Sequence, residues 1–197
     1  MIYDITQPLF ECVVFPGDPK PEKHTILSIE KGDLCNLTEL SMCAHNGTHV
    51  DAPLHFIKDG KGIDEIPLEK FIGPSYVAEH NGPLTAMDAS DMLKRAEASH
   101  KGAEKRILIK GPATITAEAA RVFADSGIYL VGNESQTVGP EDSPKEVHLI
   151  LLGAEVVALE GIRLSAVGEG SYILNCAPLR LTATDGAPCR AVLMEME

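Results

Sequence analysis

The 197-residue sequence predicts an α/β domain: a strand–helix core to which the N-terminal half adds an extra β layer. Three observations carry this expectation. The first half reads as short strands and loops, and the second half alternates apolar strand runs with capped helical stretches. No repeat, low-complexity tract or linker divides the chain, so residues 1–197 are expected to form one domain with a mixed β core and flanking helices.

In the first half, Ile2 to Thr6 alternates weakly, and Phe15-Pro16-Gly17-Asp18-Pro19 is turn chemistry. His24 to Ile29 and Leu34 to Met42 carry strand-like alternation. Gly60 and Gly62 punctuate a loop, and Pro74 precedes a strand at Ser75 to Glu79. The period then changes. Asp88-Ala89-Ser90-Asp91 can cap a helix to about His100, with Met92, Leu93 and Ala96 on one face and Gly102 past its end. Lys105 to Ile109 is a short apolar strand. Thr116 can cap a second helix through Phe123, with Gly127 as its stop. Ile128 to Val131 is another buried-type strand. Pro144 stands where a third helix starts, running to about Leu152, and Val156 to Leu159 follows as a strand. Tyr172 to Cys176 and Arg190 to Met194 read as closing strands.

Composition narrows the function classes. Hydrophobic residues at 44% and charged residues at 23% are those of a globular chain and exclude wholesale disorder. The 17 basic and 29 acidic residues give a net charge of −12, which repels phosphate backbones and anionic lipid. With no Lys/Arg-rich stripe to override it locally, neither nucleic acid nor a membrane surface is an expected partner. Cys12, Cys35, Cys43, Cys176 and Cys189 are odd in number, widely spaced and never in a C-x-x-C pair, so reduced thiols in a cytoplasmic protein are expected. Met1 to Thr6 has no basic region and no long apolar run, so no secretory signal is expected there. The most apolar stretch, Val147 to Leu159, is broken by His148, Gly153 and Glu155 and is too short to span a bilayer.

The chemistry concentrates in His45-Asn46-Gly47-Thr48-His49-Val50-Asp51-Ala52-Pro53-Leu54-His55. His49 and Asp51 are two apart, so on an extended segment their side chains share a face. Gly47 lets the backbone turn and bring His45 round to join them. Imidazole nitrogens with a carboxylate oxygen are the donor set of a catalytic zinc or manganese site. Pro53 ends the strand and leaves His55 on a rim beside the donors. The bland alternative, a set of satisfied structural histidines, requires three in eleven positions by accident. A second alternative is a cysteine nucleophile, since Cys43 lies two residues before His45.

The string H-x-G-T-H-x-D-x-P-x-H resembles the signature of the cyclase family, which includes bacterial kynurenine formamidases (arylformamidases) and isatin hydrolases. The resemblance covers nearly the whole chain. Phe15-Pro16-Gly17-Asp18 is similar to the family's N-terminal substrate loop. Val147-His148-Leu149, with Glu160 twelve residues after His148, is similar to its second metal-binding pair. Pro178-Leu179-Arg180 with Asp185-Gly186-Ala187-Pro188-Cys189-Arg190-Ala191-Val192-Leu193 is similar to its closing segment.

The resemblance implies a metal-dependent hydrolase of the swivelling β/β/α type. It implies that His45, His49 and Asp51 hold one divalent ion, with Asp51 bridging to a second that His148 and Glu160 complete. His55 is then the proton shuttle rather than a ligand, and Phe15 lines the substrate site. One or two ions per chain are implied, zinc first and manganese next. A divalent ion lowers the pKa of water from about 15.7 to about 7. His55 suits the accompanying proton transfer to a leaving amine. The implied substrate is a small amide with N-formylkynurenine first, which places the chain in tryptophan catabolism; a cyclic amide such as isatin is the alternative. A non-catalytic metal- or metabolite-binding protein on the same scaffold is the reading from another class, and retention of His55 argues against it. Kynurenine formamidases carry a tryptophan where Phe15 stands, and this chain has none; Gly132-Asn133-Glu134-Ser135-Gln136-Thr137 also departs from their Asp-x-x-Ser pattern. A homodimer or homotetramer is expected, with the segment around Phe15 near a subunit boundary.

Overall fold

Nine strands hydrogen-bond into one mixed sheet whose middle follows from the strand–helix alternation of the second half. The computed structural model describes residues 1–196. In chain order the strands are β1 (Ile2–Asp4), β2 (Glu22–Leu27), β3 (Leu37–Ser41), β4 (His49–Asp51), β5 (Ile72–Glu79) and β6 (Gly82–Leu84). Helix α1 (Ala86–Ser99), β7 (Arg106–Lys110), β8 (Ala113–Ile115), α2 (Ala117–Asp125), β9 (Leu130–Asn133), α3 (Lys145–Gly153) and β10 (Val157–Glu160) come next. The chain closes with β11 (Gly170–Asn175), β12 (Gly186–Pro188) and β13 (Val192–Glu195).

The sheet order is β1-β13-β11-β5-β7-β9-β10-β4-β12. Its four central strands, β5, β7, β9 and β10, are parallel neighbours in chain order. A helix joins each consecutive pair, and crossovers of one hand that progress one way along a sheet put all their helices on one face. The alternation of side chains confirms it. Tyr76, Ala78, Ile107, Ile109, Val131 and Ala158 pack with α1, α2 and α3 in one core. Val77, Leu108, Leu130, Val157 and Leu159 point to a second core, closed by Ile63, Phe71, Ile162 and Leu164. The antiparallel flanking strands extend the sheet on both sides of this centre.

Pro74 lies inside β5 rather than before it, at a position paired only with β11, because pairing with β7 begins at Tyr76. The strands expected at His24 to Ile29 and Leu34 to Met42 form as β2 and β3, but they pair only with each other. This arm leaves Ile26, Leu37 and Leu40 exposed. Strands β6, β8 and β12 are three residues each, too short for alternation to mark them, and two contain proline. Among the described residues no helix is long and apolar enough to cross a membrane.

The α1 cap is Thr85, three residues ahead of the expected start, and Asp88 serves as its capping-box partner. Thr85 Oγ1 accepts from Asp88 N at 3.2 Å, and Asp88 Oδ2 accepts from Thr85 N at 2.9 Å. Thr85→Ala is therefore expected to lower stability by about 1 kcal/mol, and Ser90→Ala, inside the helix, by less than about 0.5 kcal/mol. Urea titrations of the two variants measure this; equal losses would show that the cap lies elsewhere.

Candidate metal centre

Strand β4 lies between β10 and β12, and its register builds the site. His49 is paired with Glu160 and Asp51 with Ala158 on one side, while Gly186 is opposite Asp51 on the other. Residues two apart on a strand share a face, and directly opposed residues do too. His49, Asp51 and Glu160 therefore project to the face that carries Ala158 and the helices. On that face α3 presents His148. Glu160 is the last residue of β10, at the carboxyl end of the parallel strands, where α/β sheets place ligand sites.

Two glycines admit His45. Gly47 adopts φ +68°, which turns the chain back before β4. A Cβ on Gly186 would come within 2.8 Å of the His45 ring and of the Val50 carbonyl. His45 Nδ1 then lies 2.9 Å from Asp51 Oδ1, and its Nε2 lies 2.9 Å from Asp185 Oδ2. His49 Nε2 is 3.4 Å from Asp51 Oδ1 and 3.3 Å from Glu160 Oε2. His148 Nε2 is 3.5 Å from Asp51 Oδ2 and 3.1 Å from Glu160 Oε1. The structure thus brings His45, His49, Asp51, His148 and Glu160 into one cluster. His55 ends the short 3₁₀ turn Pro53–His55 and stacks on His45 with ring centroids 4.1 Å apart.

The donors are aimed. His49 Nδ1 donates to the Gly47 carbonyl at 3.0 Å, and His148 Nδ1 donates to the Pro144 carbonyl at 2.8 Å. Each bond fixes the ring and turns Nε2 toward the carboxylates, as outer partners do for metal-binding histidines. Asp51 Oδ2 is buried with no hydrogen-bond partner. A buried oxygen that lacks a donor, facing imidazole nitrogens, fits a cation. Two groups of ligand-type atoms lie within 4.8 Å of one another: His49, Asp51 and Glu160, and His45, Asp51 and His55.

Electrostatics agree with this fit. Burial alone would lower His148, but the neighbouring Asp51 and Glu160 carboxylates push it up to about 10. Burial opposes the same carboxylates at His49, whose pKa nevertheless lies well above the usual imidazole range. Asp51, whose burial works the other way, is held well below the usual carboxylate range by His148, His45 and His49. His55 differs. Burial lowers its pKa, the Asp51 charge opposes this, and the charges of His45 and His148 lower it further.

His45, His49, His55, His148 and Glu160 open onto a cavity of about 200 Å³, whose other walls include Phe15, Asp18, Phe56, Gln136 and Thr137; Asp51 lies buried behind them. Phe15 thus lines the cavity. Cys43 does not line it, and burial raises the thiols of Cys176 and Cys189, the latter to about 12. Sequence reasoning missed two neighbours of the site. Asp185 contacts His45 and lies 3.4 Å from His55 Nδ1, and in sequence it reads as turn chemistry before Gly186. Phe56 stacks on His148 at 4.5 Å, and only its place beside His55 could have marked it.

The profile of the family described as "Putative cyclase" matches residues 3–140. The chain belongs to the cyclase family. A kynurenine formamidase of Paracidovorax citrulli (strain AAC00-1) is a 32% identical relative, the match spanning 98% of this chain and 96% of its own. Among solved structures, "The Structure Of Potential Metal-Dependent Hydrolase With Cyclase Activity" is 29% identical with a TM-score of 0.83, over 100% of this chain and 98% of that one. Isatin hydrolase A from Labrenzia aggregata, 24% identical, shares the fold with a TM-score of 0.83 over 100% of this chain and 94% of its own. The mixed sheet with three helices on one face is thus the cyclase-family fold that the sequence motifs led us to expect.

A metal held in this candidate site would compete with protons for the same nitrogens. The raised pKa values of His49 and His148 stabilise the metal-free fold fully below the ordinary imidazole value of 6.5; for His148 this is lost as pH rises through about 10. The lowered pKa of Asp51 adds stability that is present above its ordinary 3.8 and lost as pH falls through the depressed value. A cation needs both imidazoles unprotonated, so its binding releases protons. Added divalent metal is therefore expected to raise Tm more at about pH 8.5 than at about pH 6. Calorimetry with and without chelator measures both increments, and an increment that shrinks with rising pH would contradict the assignment.

Proposed function

We propose that the chain is a metal-dependent hydrolase of a small amide or formamide C–N bond, with N-formylkynurenine as the first substrate to test and zinc, then manganese, as the metal. The observation that carries this reading is the convergence of His49 Nε2 and His148 Nε2 on the buried Asp51 and Glu160 carboxylates, at the floor of a cavity beside His55. The names of the relatives point to the same bond class.

In this reading His45, His49 and Asp51 would hold one ion, and His148 and Glu160 would complete a second site with Asp51 between the two. When bound, such ions supply a Lewis acid that polarises a carbonyl and make water acidic enough to ionise near neutral pH. The protein's own groups do the rest. His55 has a lowered pKa, so at neutral pH it is uncharged and able to accept a proton. It stands on the cavity wall, where it can return that proton to a departing amine nitrogen. Phe15 and Phe56 give the cavity aromatic walls. A cavity of about 150 Å³ holds a benzene ring, so this one, at about 200 Å³, takes a single ring with a carbonyl substituent. Five free cysteines support a reducing compartment such as the cytoplasm.

His55→Ala is expected to keep its metal but lose roughly 10²–10⁴ in kcat, the usual worth of a positioned acid–base group. Asp51→Ala is expected to lose metal and activity together, because it removes the carboxylate shared by three imidazoles. Elemental analysis beside turnover of N-formylkynurenine, isatin and aryl formamides decides the matter. Loss of metal in step with activity in His55→Ala would make His55 a ligand.

Assembly is part of the proposal. The β2–β3 arm is a two-stranded sheet that pairs with no other strand, and such hairpins are marginal alone. Its exposed Ile26, Leu37 and Leu40 suit burial against a second copy, giving a homodimer or homotetramer. Sedimentation at micromolar concentration is expected to give a multiple of 21.1 kDa, and a single species at that mass would refute it.

A further inference from the structure

Residues 12–15 and 18–20, around the turn at Pro16 and Gly17, carry Phe15 to the cavity without belonging to any strand or helix. Inside this segment only one backbone hydrogen bond closes locally, from Asp18 N to the Phe15 carbonyl at 3.1 Å. Its hold on the body of the protein comes largely from side-chain amides. Val13 N donates to Gln7 Oε1 at 3.1 Å. With the Gln136 amide turned so that its nitrogen faces the carbonyls and its oxygen faces the Gln7 nitrogen, the orientation that pairs both of its atoms, the Val13 carbonyl accepts from the Gln136 nitrogen at 2.9 Å. Two glutamines thus do for Val13 what a neighbouring strand would do.

The pair is itself anchored beside the candidate metal centre. Gln7 Nε2 donates to the Gly161 carbonyl at 2.8 Å and to the Gln136 amide oxygen at 2.7 Å. Gln7 Oε1 also accepts from Arg163 Nη2 at 2.5 Å. The Gln136 nitrogen reaches the Gly47 carbonyl at 3.3 Å. Gly161, at φ +69°, follows Glu160 directly, and a Cβ there would collide with both amides. Both glutamines are buried, so their amides are costly to leave unpaired, and every donor and acceptor named here is paired.

We propose that Gln7 and Gln136 are positioning residues: their amide pair sets Phe15 against the cavity, so that substrate affinity rather than turnover depends on the pair. The proposal rests on the reading above that Phe15 is a substrate wall. Its physical ground is that a loop released from the body must be ordered again at each binding event, and that ordering is subtracted from affinity.

The chain has no tryptophan, so Phe15→Trp supplies a single emitter on the loop of the full-length, metal-loaded protein. Adding Gln136→Leu to that background, without substrate, is expected to raise acrylamide quenching by about threefold and to lower anisotropy, with metal content unchanged. With Phe15 retained, Gln136→Leu is expected to raise KM by about tenfold with kcat within about twofold. Because Gln136 also lines the cavity, a direct contact with substrate would raise KM and leave the quenching unmoved, which overturns the proposal. If Gln136→Leu fails to fold, Gln136→Met repeats the measurement; failure of both would show a support of the whole fold and also overturn it. The quenching needs no substrate, so a chain that hydrolyses no amide would refute the proposed function and leave this result to be judged alone.

Discussion

Asp51 and Glu160 set the terms for the rest of the structure, because their carboxylates are 0% and 4% exposed and both sit in one pocket of the sheet. Uncompensated carboxylates buried this deeply cost several kcal/mol each. The surrounding groups answer that cost with donors and positive charge. Val138 N donates to Glu160 Oε1 at 2.8 Å, and the Nε2 atoms of His49 and His148 each stand within 3.5 Å of both residues. One oxygen, Asp51 Oδ2, is still without a hydrogen bond. A proton on each imidazole meets this demand, and a divalent cation between them would meet it in the same geometry.

Sheet register turns this electrostatic demand into a structural one. A one-residue slip of β4 against β10 would send His49 and Asp51 into the core built from Val50, Val157 and Leu159. That core is wholly apolar at the contact, so the slipped register would bury two polar groups without partners. Small residues secure the correct register from both sides. Ala158 faces Asp51 from β10, and Gly186 faces it from β12 while leaving room for the His45 ring. The position of α3 follows from the crossover between β9 and β10, which delivers His148 over the end of β10.

The parts of this arrangement that were legible in the sequence are those governed by short periods. His49 and Asp51 declare a shared face by being two apart, and α2 declares itself by Thr116 at one end and Gly127 at the other. What escaped depends on contacts between distant residues. Asp185 meets His45 from 140 positions away, on the edge of a strand too short to show alternation. Asp88 and Thr85 are both good caps, so sequence alone does not fix the start of α1, and only the reciprocal bonds show that Thr85 begins the helix. The β2 and β3 strands were visible, but alternation along a strand carries no information about whether a hairpin joins the main sheet. The contact between Gln7 and Gln136 has no sequence signal, since an amide pair has no period at all.

The site therefore divides between two kinds of support. The candidate ligand side chains of β4, β10 and α3 stand on the sheet and on a helix packed against it, where a shift of one of them would require the core to repack. Phe15 and His55 instead stand on a loop and a single 3₁₀ turn, held by side-chain amides and a few backbone bonds. Changes in the second group can alter the shape of the cavity without disturbing the first. Phe15 belongs to the second group: the size of its ring sets the space of the cavity, while the side chains of β4, β10 and α3 keep their geometry.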